Sequence, residues 1–283
     1  MNDNAILLKI RKHGGQAILI FIFSVLCIAF LLPFCWTFAT SLRLPKDSFK
    51  LPPSFFPTDF VWQNYVEVFT KFPFATFIKN SIIVTFSVVV LNILISTMAA
   101  FAFSRLQFRG REKWFLFILA GMMIPVTATI IPVYVIVAKM GLVGSKISLI
   151  ITTIVNPMSI FLIRQAMLTI PRSYDEAAYI DGASHWTVYW RIITPMCKSS
   201  ILMSSMLVFI ASWNDFMRPL IYLSDWEEMT LPIGLKVLQG YQMTGSISVI
   251  FAGVIISLIA PVLLYLFGQK YLVQSVALSG LKS

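Results

Sequence analysis

Six apolar blocks recur along the chain, each close to the roughly 20 residues that a helix needs to cross a bilayer core about 30 Å thick. They run at 17–38, 79–104, 114–138, 147–168, 199–222 and 247–269. With 58% hydrophobic and 12% charged residues among 283, charged side chains are too few to cover a water-soluble globule. A soluble oligomer with large apolar interfaces would not need stretches of this length. The expectation is an all-α membrane protein of six transmembrane helices in the lipid bilayer. The first block is longer than a signal-peptide core and lacks a small-residue cleavage site, so it reads as a retained helix.

Charge sets the orientation. Lys9, Arg11 and Lys12 precede the first block, and Arg105, Arg109, Arg111 and Lys113 crowd the link between the second and third, so both segments are expected in the cytoplasm. An even number of spans returns Lys270 and Lys282 to the same side. The net charge of +10 is scattered through short connecting segments without forming a basic face, which argues against nucleic acid as a partner. Cys27, Cys35 and Cys197 form no CxxC pair and have only His13 and His185 to help them, so neither a disulfide framework nor a metal site is expected.

Within this frame, the outer loop at 39–78 carries Leu51-Pro52-Pro53, Phe55-Phe56-Pro57, Trp62, Tyr65 and Phe69, and reads as ordered and surface-hugging. Pro125, Pro132, Pro157 and Pro261 fall inside blocks, where each removes a backbone donor and can bend a helix. Ser96, Ala100 and Ser104 mark a small-residue packing face on the second span.

Between the fourth and fifth blocks lies a long polar connection, Pro171 to Trp186, whose chemistry predicts two short helices. Ser173 and Glu176 have the spacing of a capping box, and Asp175 adds charge that the helix dipole favours. Gly182 can end the first helix at positive φ. Ser184 can cap the second, in which Trp186, Tyr189, Trp190 and Ile193 recur at helical spacing as an interfacial aromatic stripe, and Pro195 marks its end. The pair Ala177-Ala178 leaves a low ridge that lets another protein's backbone approach, with flanking carboxylates to fix orientation.

Glu176-Ala177-Ala178, three residues, Gly182, nine residues, then Ile192 and Pro195 resembles the EAA motif of ABC-importer membrane subunits. Thr194 stands where that family usually has Leu. The resemblance extends to Asn80-Ser81, Ala102-Phe103-Ser104-Arg105 and Ser212-Trp213-Asn214-Asp215-Phe216, which are similar to the maltose-type carbohydrate-uptake class. It implies a cytoplasmic N-terminal segment (1–16), a permease domain (17–269) with its coupling segment at 171–195, and a cytoplasmic tail (270–283). A cytoplasmic coupling helix between spans four and five would seat in a cleft of an ATPase subunit through Glu176, Ala177, Ala178, Asp181 and Gly182, within a segment that includes Ala183 and Pro195. The implied partners are a second homologous membrane subunit, two cytoplasmic ATPase subunits and an extracytoplasmic solute-binding protein, in the cell membrane of a prokaryote.

The sequence has no phosphate-cradling G-x-x-x-x-G-K-[ST] loop, so ATP and Mg are expected to be used by the partner ATPase, with no cofactor on this chain and no catalytic site. Solute contacts are expected where polar groups interrupt apolar helices: Trp213, Asn214, Asp215 and Arg218 in the fifth block. An Asp215/Arg218 pair that merely stabilises its helix is the competing reading of those two charges. Asn92 and Asn156 are assigned to interhelical hydrogen bonding. A proton-driven transporter would need a protonatable relay, for which Asp215 is thin support, and no clustered His, Cys or carboxylates suggest a membrane enzyme.

Overall fold

The computed structural model describes residues 3–44, 59–240 and 246–280, and the regular elements among them are all helical. The Leu51–Pro57 stretch of the outer loop, Lys46, Lys50 and Lys282 lie outside the described residues. In chain order the helices are α1 (Asp3–Ser41), α2 (Gln63–Thr70), α3 (Phe74–Arg105), α4 (Arg111–Ala120), α5 (Val126–Lys139), α6 (Lys146–Ile151), α7 (Pro157–Leu168), α8 (Ser173–Ile180), α9 (His185–Thr187), α10 (Thr194–Met196), α11 (Lys198–Trp213), α12 (Met217–Tyr222), α13 (Leu231–Val237) and α14 (Ile247–Gly280). A 3₁₀ turn, Gly121–Met123, follows α4, and a π-helical stretch, Val188–Ile193, joins α9 to α10.

Three apolar stretches are long enough to cross a bilayer unbroken, in α1, α3 and α14. Two further candidates are bent pairs, Arg111–Met123 with Val126–Lys139 at 102° and His185–Met196 with Lys198–Trp213 at 78°. Among the described residues the candidates thus number three unbroken spans, or five with the bent pairs, against the six expected. The block at 114–138 breaks where Ile124 takes an extended conformation ahead of Pro125, as a residue preceding proline prefers. The block at 147–168 breaks after α6, because Asn156 is extended and caps α7, with Pro157 at its first turn, accepting a bond from the Met158 amide at 2.9 Å. Pro125 and Pro157 thus separate helices, whereas Pro132 and Pro261 sit within α5 and α14.

The chain divides into two compact units. In the first, residues 1–72 and 238–256, α2 is tied to the end of α1: Asn64 donates to the carbonyls of Ser41 and Arg43, both at 2.8 Å, and the Ser41 and Tyr65 hydroxyls lie 2.7 Å apart. That part of the outer loop is ordered, as its aromatic content predicts. The apolar side chains of α1 from Ile18 to Leu32 are largely exposed, a surface that water would not tolerate at this length.

The second unit, residues 73–237 and 257–283, is organised around α3. Ser81, Thr85, Val88, Asn92, Ser96, Ala100 and Ser104 follow one another at three or four residue steps and are all buried, so one small and polar face packs against α7 and α11. The expected Ser96, Ala100, Ser104 packing face is its latter half. Asn92 donates to the Ile154 carbonyl at 2.8 Å, satisfying backbone freed at the α6–α7 break. Near the start of α3, Asn80 donates to the carbonyls of Glu227 and Met229, and the Ser81 hydroxyl accepts from the Leu231 amide at 2.8 Å.

These last bonds draw α13 onto α3 so tightly that a Cβ at Gly234 would lie within 2.8 Å of Phe77 Cγ, in a ring that is fully buried. Gly234→Ala should therefore lower the thermal midpoint of the detergent-purified protein, at an overpacking cost of about 1–3 kcal/mol. Gly268→Ala, whose added atom meets only the flexible end of Met206, should leave the midpoint nearly unchanged. An unshifted midpoint in Gly234→Ala would mean that α13 is not seated on α3.

Candidate functional site

The 171–195 segment forms two helical pieces, α8 and the run His185–Met196, as its turn chemistry predicts, but α8 starts differently. Its N-cap is Arg172, which makes no side-chain cap bond, so the Ser173/Glu176 capping box is not formed. Asp175 is the reason: it turns inward, and the helix begins one residue earlier, with the Asp175 and Glu176 amides both bonded to the Arg172 carbonyl.

Gly182 ends α8 at φ +82°, and the Gly182 amide donates to Tyr179 O at 3.0 Å while the Ala183 amide donates to Ala178 O at 2.9 Å. This paired closure is the Schellman arrangement, which needs a residue in the left-handed region at that position. Ser184 then caps α9 by accepting from the Thr187 amide. Pro195 lies in α10, two residues before the 78° bend at Cys197.

Only Asp175 and Ala178 of α8 are buried, on one face three residues apart. The expected ridge of two alanines is therefore split: Ala178 packs inward with Ile163, Met167, Ile170 and Tyr189, and Ala177 faces outward beside Glu176, Asp181 and Gly182. Ile180 is 87% exposed, a large apolar side chain on the same short helix that sequence reasoning passed over. The aromatic stripe also divides. Tyr189 and Ile193 are buried, because the Tyr189 hydroxyl meets Thr97 Oγ1 at 2.7 Å and its ring meets Phe101, whereas Trp186 and Trp190 point outward.

Beneath α8 lie two charge pairs that link residues far apart in sequence. Arg105, the last residue of α3, places Nε 3.3 Å from Asp175 Oδ2 and donates through Nη2 to the Ile170 carbonyl at 3.0 Å. Its side chain is 4% exposed and that of Asp175 10%. Arg164 of α7 donates to both carboxylate oxygens of Glu112 on α4, at 2.7 and 2.9 Å, donates through Nε to the Phe103 carbonyl, and stacks over Phe115. Burial pushes the Asp175 carboxyl above the usual range, Arg105 and Arg172 pull it down, and Glu176 adds to the rise. A carboxyl raised on folding favours the folded state at low pH and loses that contribution as pH rises through its folded pKa. At neutral pH the pair therefore serves orientation more than net stability.

A second feature lies where the helices break. A cavity of ≈ 400 Å³ is lined by residues of both breaks, Gly121, Ile124, Asn156 and Pro157 among them, together with Ser212 and Arg218. Arg218 Nη1 meets Asp215 Oδ2 at 2.9 Å, so the two charges that sequence reading singled out do pair at i,i+3. Trp213 is not presented to this cavity: it is 5% exposed, stacks on Phe209, and donates its indole N–H to the Ser257 carbonyl. Asn214 is exposed and donates back to the Ile210 carbonyl.

The model of the family described as binding-protein-dependent transport system inner membrane component matches residues 92–277. The trehalose/maltose transport system permease protein MalG of Thermococcus litoralis is 31% identical over 96% of this chain and 99% of its own length. The arabinooligosaccharides transport system permease protein AraQ of Halalkalibacterium halodurans is 30% identical over 87% of this chain and 88% of its own. A solved structure, described as a bacterial ABC transporter involved in the import of the acidic polysaccharide alginate, superposes with a TM-score of 0.80 at 25% identity, covering 92% of this chain and 96% of that one.

The two arginine pairs should respond differently to truncation. Arg105→Met takes the nearest cation from the largely buried Asp175 carboxylate and should cost up to about 3–5 kcal/mol. Arg164→Met leaves Glu112 still paired with Arg111 and already 56% exposed, so it should cost less. Denaturant unfolding in detergent micelles would rank the two, and an equal loss would contradict the burial argument.

Proposed function

Because the chain belongs to the family of binding-protein-dependent transport system inner membrane components, we propose that it is a multi-pass permease subunit of an ATP-driven importer that translocates a carbohydrate delivered by an external solute-binding protein. The carrying observation is the 171–195 segment: a helix closed by Gly182 presents Glu176, Ala177, Ile180 and Asp181 outward while a buried ion pair holds its other face. Such a surface suits docking to another protein. In this reading α8 sits in the cytoplasm against one of two ATPase subunits, which use ATP and Mg, and both termini share that side. A second membrane subunit supplies the other half of the pathway.

Solute passage is assigned to the cavity at the helix breaks, with Ser212, Asn156 and Arg218 on its wall and Asp215 holding Arg218 in place. Closure of the ATPase pair would drive α8 and switch the helices between inward-open and outward-open states. Sugar and oligosaccharide names recur among the relatives, and a cavity with hydroxyl, amide and guanidinium groups among apolar walls suits a hydroxylated solute.

The test is reconstitution of the chain with its membrane partner, ATPase and binding protein in vesicles, followed by uptake of labelled maltose, trehalose and arabino-oligosaccharides. Accumulation should require ATP. An added Cβ at Gly182 meets nothing within 4 Å, so substitution acts through backbone strain alone, about 1–2 kcal/mol for a β-branched residue. Gly182→Val should lower uptake per ATP hydrolysed while the complex still assembles, and Gly182→Asn should do so less. Accumulation without ATP, or full coupling in Gly182→Val, would overturn the assignment.

A further inference from the structure

Whatever α8 passes to the membrane helices must leave it through its buried face, and that face consists of Asp175 and Ala178. Ala178 contributes a non-directional apolar contact within the cluster containing Ala100, Ile163, Met167 and Tyr189. Asp175 contributes the ion pair with Arg105, the charged contact on that face. The pair stands at the wall of a cleft of ≈ 560 Å³, lined by Arg105 and Asp175 together with Arg172, Glu176, Tyr179 and His185, so packing beside it is loose and the ion pair bridges that gap.

The receiving end is equally specific. Arg105 closes α3, the 32-residue helix on which the second unit is built, and also holds the Ile170 carbonyl just before α8 begins. One turn or less away, the Phe103 carbonyl and Glu112 are held by Arg164, which brings α7 and α4 to the same point. Asp175 Oδ1 and Arg105 Nε are both buried without a hydrogen-bond partner, so the carboxylate is compensated by charge, first by Arg105 at 3.3 Å and then by Arg172. A pair that is buried at this cost fixes geometry more than it adds stability.

We propose that Arg105 and Asp175 form the joint through which displacement of α8 enters α3, with Arg164 and Glu112 spreading it to α7 and α4. They are positioning residues and touch no solute. The joint makes α8 and the end of α3 move as one body, and its loss lets α8 swing without carrying the bundle. This rests on the reading of α8 as the contact with the ATPase.

The measurement is a spin-label distance within the assembled, vesicle-reconstituted complex, after replacing the exposed Cys27 and Cys35. One label goes on Tyr174 of α8 and the other on Val90, which stands about 22 Å along α3 from Arg105; both positions are exposed. With the joint intact the distribution should be narrow and the same with and without ATP plus vanadate. Asp175→Asn, which keeps the side-chain shape, should broaden it and make it shift on vanadate trapping, and Arg105→Gln should do the same. An unchanged distribution in both variants, in complexes whose coupling Gly182→Val still impairs, overturns the joint and leaves the docking reading standing. Loss of assembly in both variants also overturns it, since the pair then serves folding alone. Normal coupling in Gly182→Val defeats the docking reading itself.

Discussion

Backbone that leaves a helix inside a bilayer must find its hydrogen bonds within the protein, and in the second unit α3 is where much of it finds them. The Asn92 amide reaches the carbonyl freed between α6 and α7, and Asn80 and Ser81 hold the chain between α12 and α13. At the far end the Phe103 carbonyl receives Arg164. A helix of 32 residues without glycine or proline can offer such partners at fixed heights along about 48 Å. The broken helices around it can then depart from regular geometry without stranding polar groups. Replacing the polar residues of α3 by leucine would raise its hydropathy and remove the reason the breaks are tolerated.

The same spine explains how the 171–195 segment can be both firmly held and available. Its grip is concentrated on few atoms, one ion pair and one alanine, while the Schellman bonds close α8 on itself. The other side chains of α8 are exposed, that of Ile180 almost completely. A broad apolar seat would have buried them, and a purely solvent-exposed helix of eight residues would not be stable alone. Narrow anchoring through an ion pair and one apolar contact satisfies both demands.

Local features were legible in the sequence wherever chemistry within a few residues decides the structure. Gly182, the Ser184 cap and the end of the segment near Pro195 follow from turn rules, and α3 and α14 follow from hydropathy and length. What the sequence hid is non-local competition. Ser173 and Glu176 are spaced for a capping box, yet Asp175 is drawn inward by Arg105, seventy residues earlier, and no local rule anticipates that. Asn156-Pro157 reads equally well as a packing amide next to a kink; only the tertiary arrangement makes it a cap and a first turn. Trp213 looked poised for a ligand because it adjoins Asn214 and Asp215, but successive helical residues face different directions, and it turns toward Ser257 while its neighbours do not.

The breaks also bear on why so little charge marks the cavity proposed as the pathway. A hydroxylated, uncharged solute is held by many moderate hydrogen bonds, and ends of interrupted helices offer amides and carbonyls for that purpose. Ionisable groups placed there would be costly to bury and would select for charge. Around the cavity Arg218 is already matched by Asp215, which leaves the wall polar but close to neutral. Arg218 is the one ionisable side chain among the described residues that line the cavity, too few groups for a proton relay along that wall. In the proposed reading uphill movement is then driven mechanically, and α8 is the element whose exposed face and narrow anchoring suit it to receive that drive.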